Sequence, residues 1–370
     1  MKMPALPKIP DLMPVLQNLK SKDLELNVTM MGGRRCGKTS VLAAMEDCFQ
    51  KTIYKDTNIV CYSEDETTLH TLRAKKAELD AYFTDRKGRS FQPDSTPTSE
   101  VACYSFYIGL RGNGRKKEDG RIHVNFYDYP GEWLVNHQDE LNEIVEKSRI
   151  LLIAVDTPYL LEEGGKFNRL RNNCDDVSNA IIRSGFADKG PGMILFVPLK
   201  CEKYRTPINR HSPGLKEVRA AVEKSYEHLI DYVKRSGECF AAITPIFTLG
   251  DAVFSDFARD DSGDIIMNGG IPQQANYIFT DEAGNAPRPQ FCEQPLYYVL
   301  AYTLIMAKKS KDKKRGPFAG VLNLFQEAIL HWTPAKDYLA EYDAIHEKIA
   351  ETLKTTAGYG VVSPCDWMEL

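Results

Sequence analysis

The chain has 370 residues, 43% of them hydrophobic, which is material for one large α/β domain with an appendage or for two modest domains. Its net charge of −4 and pI near 6.0 provide no global attraction to nucleic acid or to an anionic membrane, so such a partner would need a local patch. Nine cysteines without a C-x-x-C pair read as reduced thiols rather than a disulfide framework or zinc site, and no apolar run approaches the ~18 residues of a membrane span, so the chain reads as cytoplasmic.

In chain order, residues 1–23 form an N-terminal arm in which Pro4, Pro7, Pro10 and Pro14 interrupt any helix. An apolar strand then runs into Gly32, and a glycine loop to Gly37 opens a helix at Lys38, with Val41, Leu42, Met45, Cys48, Phe49 and Thr52 on one face. Leu69, Leu72, Leu79, Tyr82 and Phe83 predict a second helix within 63–86, followed by a polar, mobile loop over 85–100. Strands follow over 101–110 and 121–128, and the run 149–156 has the continuous apolarity of a strand buried on both faces. Phe167, Leu170, Cys174, Val177 and Ile181 predict one helix, 193–199 another buried strand, and Ser212-Pro213 the start of a helix carrying Leu215 to Val233. A last apolar strand covers 239–248.

Alternation of this kind predicts a doubly wound, mostly parallel sheet of six strands with right-handed crossovers. Residues 251–295, rich in Gly, Asp, Asn and Pro, read as an inserted excursion, and a closing helix over 295–309 ends the 24–309 domain. A basic linker, 308–315, leads to two apolar helical stripes that predict a C-terminal helical hairpin over 316–358.

The chemistry concentrates in G-x-x-x-x-G-K-[ST]: Gly32, Gly33, Arg34, Arg35, Cys36, Gly37, Lys38, Thr39 and Ser40. Glycines allow backbone N–H groups to face phosphate oxygens, and the helix start adds its positive dipole end. Lys38 would neutralise the outer phosphates and the Thr39 hydroxyl would ligate Mg²⁺. Asp128, closing a strand in D-x-x-G, would reach the metal while the Gly131 N–H meets a γ-phosphate. Thr98, or Thr96 beside it, could close on the metal from the polar loop. Lys200 and Glu202 form a Lys-x-carboxylate pair after a strand, able to lie along guanine and accept its N1–H and N2–H₂. Thr248 and Leu249 stand where a backbone N–H would meet the base O6.

These motifs in this order resemble the translation-factor and Ras-like class of P-loop GTPases over approximately residues 24–309. GGRRCGKTS, YDYPGE, VPLKCEKY and EQPLYYVLAYTL are similar to the bacterial double-GTPase type of multi-component conflict systems. The resemblance implies GTP/GDP, Mg²⁺, two switch loops and a protein effector or adaptor that reads the nucleotide state. It leaves out the 251–295 excursion and the C-terminal hairpin.

Leu199 and Glu202 depart from the N/T-K-x-D pattern, and Glu132 replaces the glutamine that orients water in Ras-like enzymes, so slow hydrolysis is expected. Arg34 is either an arginine finger from the same chain or an outward-pointing side chain. Two other readings stay open: an ATP-driven ATPase or small-molecule kinase, and a nucleotide-bound scaffold that never turns over.

Overall fold

A computed structural model describes residues 24–56, 59–84, 90–91, 100–110, 122–205, 212–280, 283–284, 286–310, 347, 349–365 and 368. The N-terminal arm 1–23, Thr96, Thr98 and most of the expected hairpin at 316–358 lie outside them.

The chain opens with β1 (Leu24–Met31), α1 (Lys38–Asp56), β2 (Ile59–Tyr62), α2 (Glu66–Thr84) and β3 (Ser90–Phe91). Next come β4 (Ala102–Leu110), β5 (Ile122–Asp128), α3 (Trp133–Asn136), α4 (Gln138–Lys147) and β6 (Ile150–Asp156). Three short helices follow, α5 (Thr157–Leu161), α6 (Asn168–Asn172) and α7 (Cys174–Arg183), then β7 (Gly192–Leu199), α8 (Leu215–Ser225), α9 (Glu227–Ser236) and β8 (Cys239–Ile243). The remainder is β9 (Ala252–Phe257), β10 (Met267–Asn268), β11 (Ile271–Pro272), β12 (Ala275–Phe279), α10 (Gln294–Ser310) and β13 (Gly360–Ser363).

The main sheet has the order β13-β8-β7-β6-β1-β5-β4-β2. Its five central strands are parallel, and β4, β2 and β13 are antiparallel additions at the edges. The mostly parallel, doubly wound α/β architecture is the expected one, but eight strands replace the expected six. The two extra strands have four residues each. Both are edge strands, whose short apolar stretches carry too little pattern to stand out from the helices beside them.

Burial on both faces explains the unbroken apolar runs. Along β6, Ile150, Leu152 and Ala154 pack with α1 and α10 on one side, while Leu151, Ile153 and Val155 pack with α4, α7 and α9 on the other. Each Ile, Leu or Val side chain among them contributes about 1.5–3 kcal/mol on leaving water.

Several expected elements are interrupted. The single helix anticipated around Leu170 and Cys174 is broken at Asn173, which takes left-handed φ of 48°, and Leu170 is 58% exposed rather than on a buried face. The long helix after Ser212-Pro213 is two helices meeting at Tyr226, and its cap is Gly214, whose N–H donates to Glu217 Oε2 at 2.8 Å. The strand expected over 239–248 ends at Ile243, because Pro245 has no N–H to donate; the Thr244 and Ile246 N–H groups still bond Phe196 and Pro198 of β7.

Within 251–295, β9 and β12 pair antiparallel and β3 joins β12, giving a small second sheet, while β10 and β11 form a separate hairpin. Its apolar face forms a third core with Leu79 and Phe83 of α2 and with Tyr159 and Phe167. Among the described residues no helix is long and apolar enough to cross a membrane.

Candidate functional site

The glycine loop leaves the carboxyl end of β1 between β5 and β6, where successive parallel strands run off to opposite sides and open a crevice. A Cβ on Gly33 would lie 2.0 Å from the Arg171 carbonyl oxygen, so only glycine lets this backbone pass. Lys38 begins α1 and folds back under the loop, its Nζ donating to the Gly32 and Gly33 carbonyls at 3.2 and 3.5 Å.

Lys38 Nζ is 3.6 Å from Asp128 Oδ1, with the two side chains 6% and 0% exposed. The Thr39 hydroxyl donates to Asp128 Oδ2 at 2.8 Å. Burial raises the Asp128 pKa above its ordinary value, opposed by the Lys38 charge and the Thr39 hydrogen bond. Asp128 Oδ1 accepts no hydrogen bond despite its burial. A hydroxyl and a carboxylate meeting at the loop form a hard-oxygen pair suited to Mg²⁺, which takes one or two protein ligands and completes its shell with phosphate and water. Among the described residues no group of three His, Cys, Asp or Glu side chains could hold a metal by itself.

At the loop's other flank Gly131 is pressed against the backbone of Arg34, and Arg34 Nη1 pairs with Glu132 Oε1 at 3.0 Å, both side chains largely exposed. Arg34 thus points outward to Glu132.

The base-side residues separate. Lys200, in left-handed φ of 57°, lays Nζ against the Arg35 carbonyl at 3.2 Å and lines the cleft with Thr248, Leu249 and Ser40. Glu202 does not line it. Its Oε1 accepts the N–H groups of Leu249 and Gly250 at 2.9 and 3.3 Å, and its buried Oε2 has no hydrogen-bond partner. Burial pushes the Glu202 pKa up to about 7, against the pull of the Leu249 and Gly250 amides.

Sequence reasoning missed Asp156 and Arg171. Asp156 Oδ2 accepts from Lys200 Nζ at 2.7 Å and from Arg171 Nη2 at 3.2 Å, while Arg171 Nη2 also reaches the Arg35 carbonyl at 3.1 Å. Asn172 bonds both backbone groups of Asp156, and the Arg171 guanidinium lies 4.5 Å from the Tyr159 ring centroid. The one available signal was an aspartate ending the apolar run ILLIAVD beside the loop strand. Nothing local marked Arg171, which comes from a helix of five residues.

Of these groups, Lys38, Thr39, Arg171, Lys200, Thr248 and Leu249 border a cleft that is partly open to solvent. Lys38, Arg35, Arg171 and Lys200 give it a cationic floor, and Leu79, Tyr82, Tyr159, Leu249 and Tyr277 give it apolar sides. That combination offers positive charge complementary to a polyanion and apolar surface suited to a flat ring.

A strand–loop–helix phosphate site with D-x-x-G on the neighbouring strand, set in this sheet, defines a P-loop nucleotide-binding protein of the GTPase kind. The chain belongs to the Double-GTPase 2 family, whose model matches residues 27–236. No curated protein matches the chain. The family makes it a GTP/GDP-binding P-loop GTPase of the double-GTPase type.

Proposed function

We propose that this chain is a cytoplasmic GTP-binding switch that hydrolyses GTP slowly with Mg²⁺ and reports its nucleotide state to a protein effector or adaptor. The observation that carries the reading is the meeting of Lys38, Thr39 and Asp128 at one end of the glycine loop, within 3.6 and 2.8 Å. Loop amides and Lys38 would hold the phosphates, and Thr39 and Asp128 would hold Mg²⁺, whose charge would offset that of the triphosphate. Gly131, with Thr98 or Thr96, senses the γ-phosphate, and Glu132 orients water. The unit we assign is 24–309 together with β13 (Gly360–Ser363), which pairs with β8 in the main sheet, and the excursion 251–295 is inserted within it. The conflict-system setting implied by the resemblance belongs to this proposal as well.

One observation favours a second reading. Glu202 has one oxygen committed to Leu249 and Gly250 and lies outside the cleft lining, which weakens guanine selection and leaves room for an ATP-driven enzyme. Competition of GTP and ATP for a fluorescent GDP analogue, with and without Mg²⁺, separates them. The switch reading expects GTP to compete at least a hundredfold better than ATP; equal competition transfers the site to the ATP-driven reading.

A further inference from the structure

The cleft has two walls of different origin. One is the loop wall, with Lys38, Lys200 and Thr248; the other combines Leu79 and Tyr82 of α2 with Gln274 and Tyr277 at the small sheet. Gln274 and Tyr277 lie beyond the stretch 27–236 that the family model matches.

The second wall is held together as a body. The Phe83 and Phe279 rings meet edge to face with centroids 5.0 Å apart, and Tyr277 pairs with Phe91 of β3 across the sheet. Leu249, from the loop that lines the base side, packs in the same apolar cluster as Leu79 and Tyr277. The Tyr159 hydroxyl donates to the Pro272 carbonyl at 3.0 Å, and the Tyr159 ring carries Arg171, which bonds the Arg35 carbonyl. The β10–β11 hairpin, which leads through Gln273 and Gln274 into β12 of the small sheet, is therefore tied to the phosphate loop through two side chains.

We propose that the small sheet and α2 form a clamp on the nucleoside end of the bound nucleotide, with Tyr82 and Gln274 touching it. This deepens the GTP-binding reading and rests on it. Aromatic and aliphatic side chains lining the same cleft as Lys200 suit the face of a base, and the amide of Gln274, an exposed residue of that lining, suits ribose or base edges. Nucleotide leaves only when this wall parts from the loop wall, so the dwell time belongs to residues outside the phosphate-binding motifs.

The test is dissociation of a fluorescent GDP analogue from the full chain, chased with excess GDP in Mg²⁺. Removing an aromatic that covers a base accelerates release by about tenfold or more, and Tyr82→Ala is expected to do so while Tyr82→Phe stays within about twofold of the parent. Gln274→Ala, an exposed change that does not threaten folding, is expected to accelerate release about threefold, a loss on the scale of one hydrogen bond. Met267→Ala, on exposed β10, should release at the parent rate. The clamp is overturned if Tyr82→Ala and Gln274→Ala both release at the parent rate, or if Met267→Ala releases as fast as they do. Should Tyr82→Ala not fold, as judged by circular dichroism, Gln274→Ala decides alone. A parent chain that binds no fluorescent GDP, GTP or ATP analogue removes the nucleotide reading itself and the clamp with it; binding by the parent with unaltered release in the variants removes the clamp only.

Discussion

Asp156 holds Lys200 at 2.7 Å and Arg171 at 3.2 Å, so that one buried carboxylate compensates two cations beneath the phosphate loop. Both cations also donate to the Arg35 carbonyl, which makes the triad a brace for the loop's middle residue. Removing the carboxylate leaves the cations unpaired, and breaking a buried pair from one side costs about 3–5 kcal/mol. Asp156→Ala is accordingly expected to lose stability on that scale in urea denaturation and to weaken GTP binding in titration calorimetry. Asp156→Asn, which keeps the shape and one acceptor, should fall between. An Asp156→Ala protein as stable as the parent would mean that solvent already compensates the two cations.

The Glu202 carboxyl makes stability depend on pH in a direction opposite to that of most acids. The unfolded chain ionises it near 4.5 and the native chain near 7, so between these values the native state keeps a proton that the unfolded state has released. Its contribution is therefore complete below pH ~4.5, declines as pH rises to ~7, and is constant beyond. Two to three units correspond to about 3 kcal/mol, to order of magnitude. In Glu202→Gln the carbonyl can still accept the Leu249 and Gly250 N–H groups, so the difference between variant and parent should grow across this window and then level off. Urea denaturation from pH 5 to 8 measures it; a difference that stays flat would show that Glu202 ionises at its ordinary pKa in the folded chain.

The sheet was legible because β6 and β7 are apolar on both faces, a pattern that a helix of the same length would not need. The phosphate loop was legible because its spacing is fixed by the backbone it must wrap. Other features depended on long-range pairing. β2 and β13 are recognisable only beside β4 and β8, and Arg171 meets Asp156 across 15 residues from a short helix that ends at Asn173. Glu202 stands just past the end of β7, but its engagement with the Leu249 and Gly250 amides depends on a loop that lies 47 residues away in sequence. The 251–295 stretch was anticipated as an inserted hairpin-and-loop excursion; what the sequence did not reveal is its pairing with β3, which is set by residues far apart in the chain.

Gly131 tests how tightly the D-x-x-G turn is pressed onto the loop. A Cβ there would lie 2.3 Å from the Arg34 nitrogen and 2.7 Å from its Cα, both backbone atoms that cannot swing aside. Gly131→Ala must therefore displace the turn, at an overpacking cost of about 1–3 kcal/mol. The displaced N–H would also no longer reach a γ-phosphate. The expected result is a Tm lower by several degrees and a loss of GTP affinity about tenfold greater than the loss of GDP affinity. Equal losses for the two nucleotides would remove Gly131 from γ-phosphate sensing and leave it as a packing residue.

The pair between Arg34 and Glu132 decides which side chain affects hydrolysis. With 49% and 41% of the side chains exposed, it belongs to the surface class that contributes about 0–1 kcal/mol, so neither substitution should shift stability noticeably. Because Arg34 is turned toward Glu132, Arg34→Ala is expected to leave single-turnover GTP hydrolysis within about threefold of the parent. A fall of a thousandfold, the scale of an arginine finger, would place Arg34 on the transferring phosphoryl group. Glu132→Gln replaces an acceptor-only carboxylate with an amide that can also donate a hydrogen bond to the developing charge, and should raise the single-turnover rate about tenfold. If Glu132→Gln slows hydrolysis instead, the carboxylate acts as the acceptor of the water proton, and the slow rate expected of this chain has to come from elsewhere in the site.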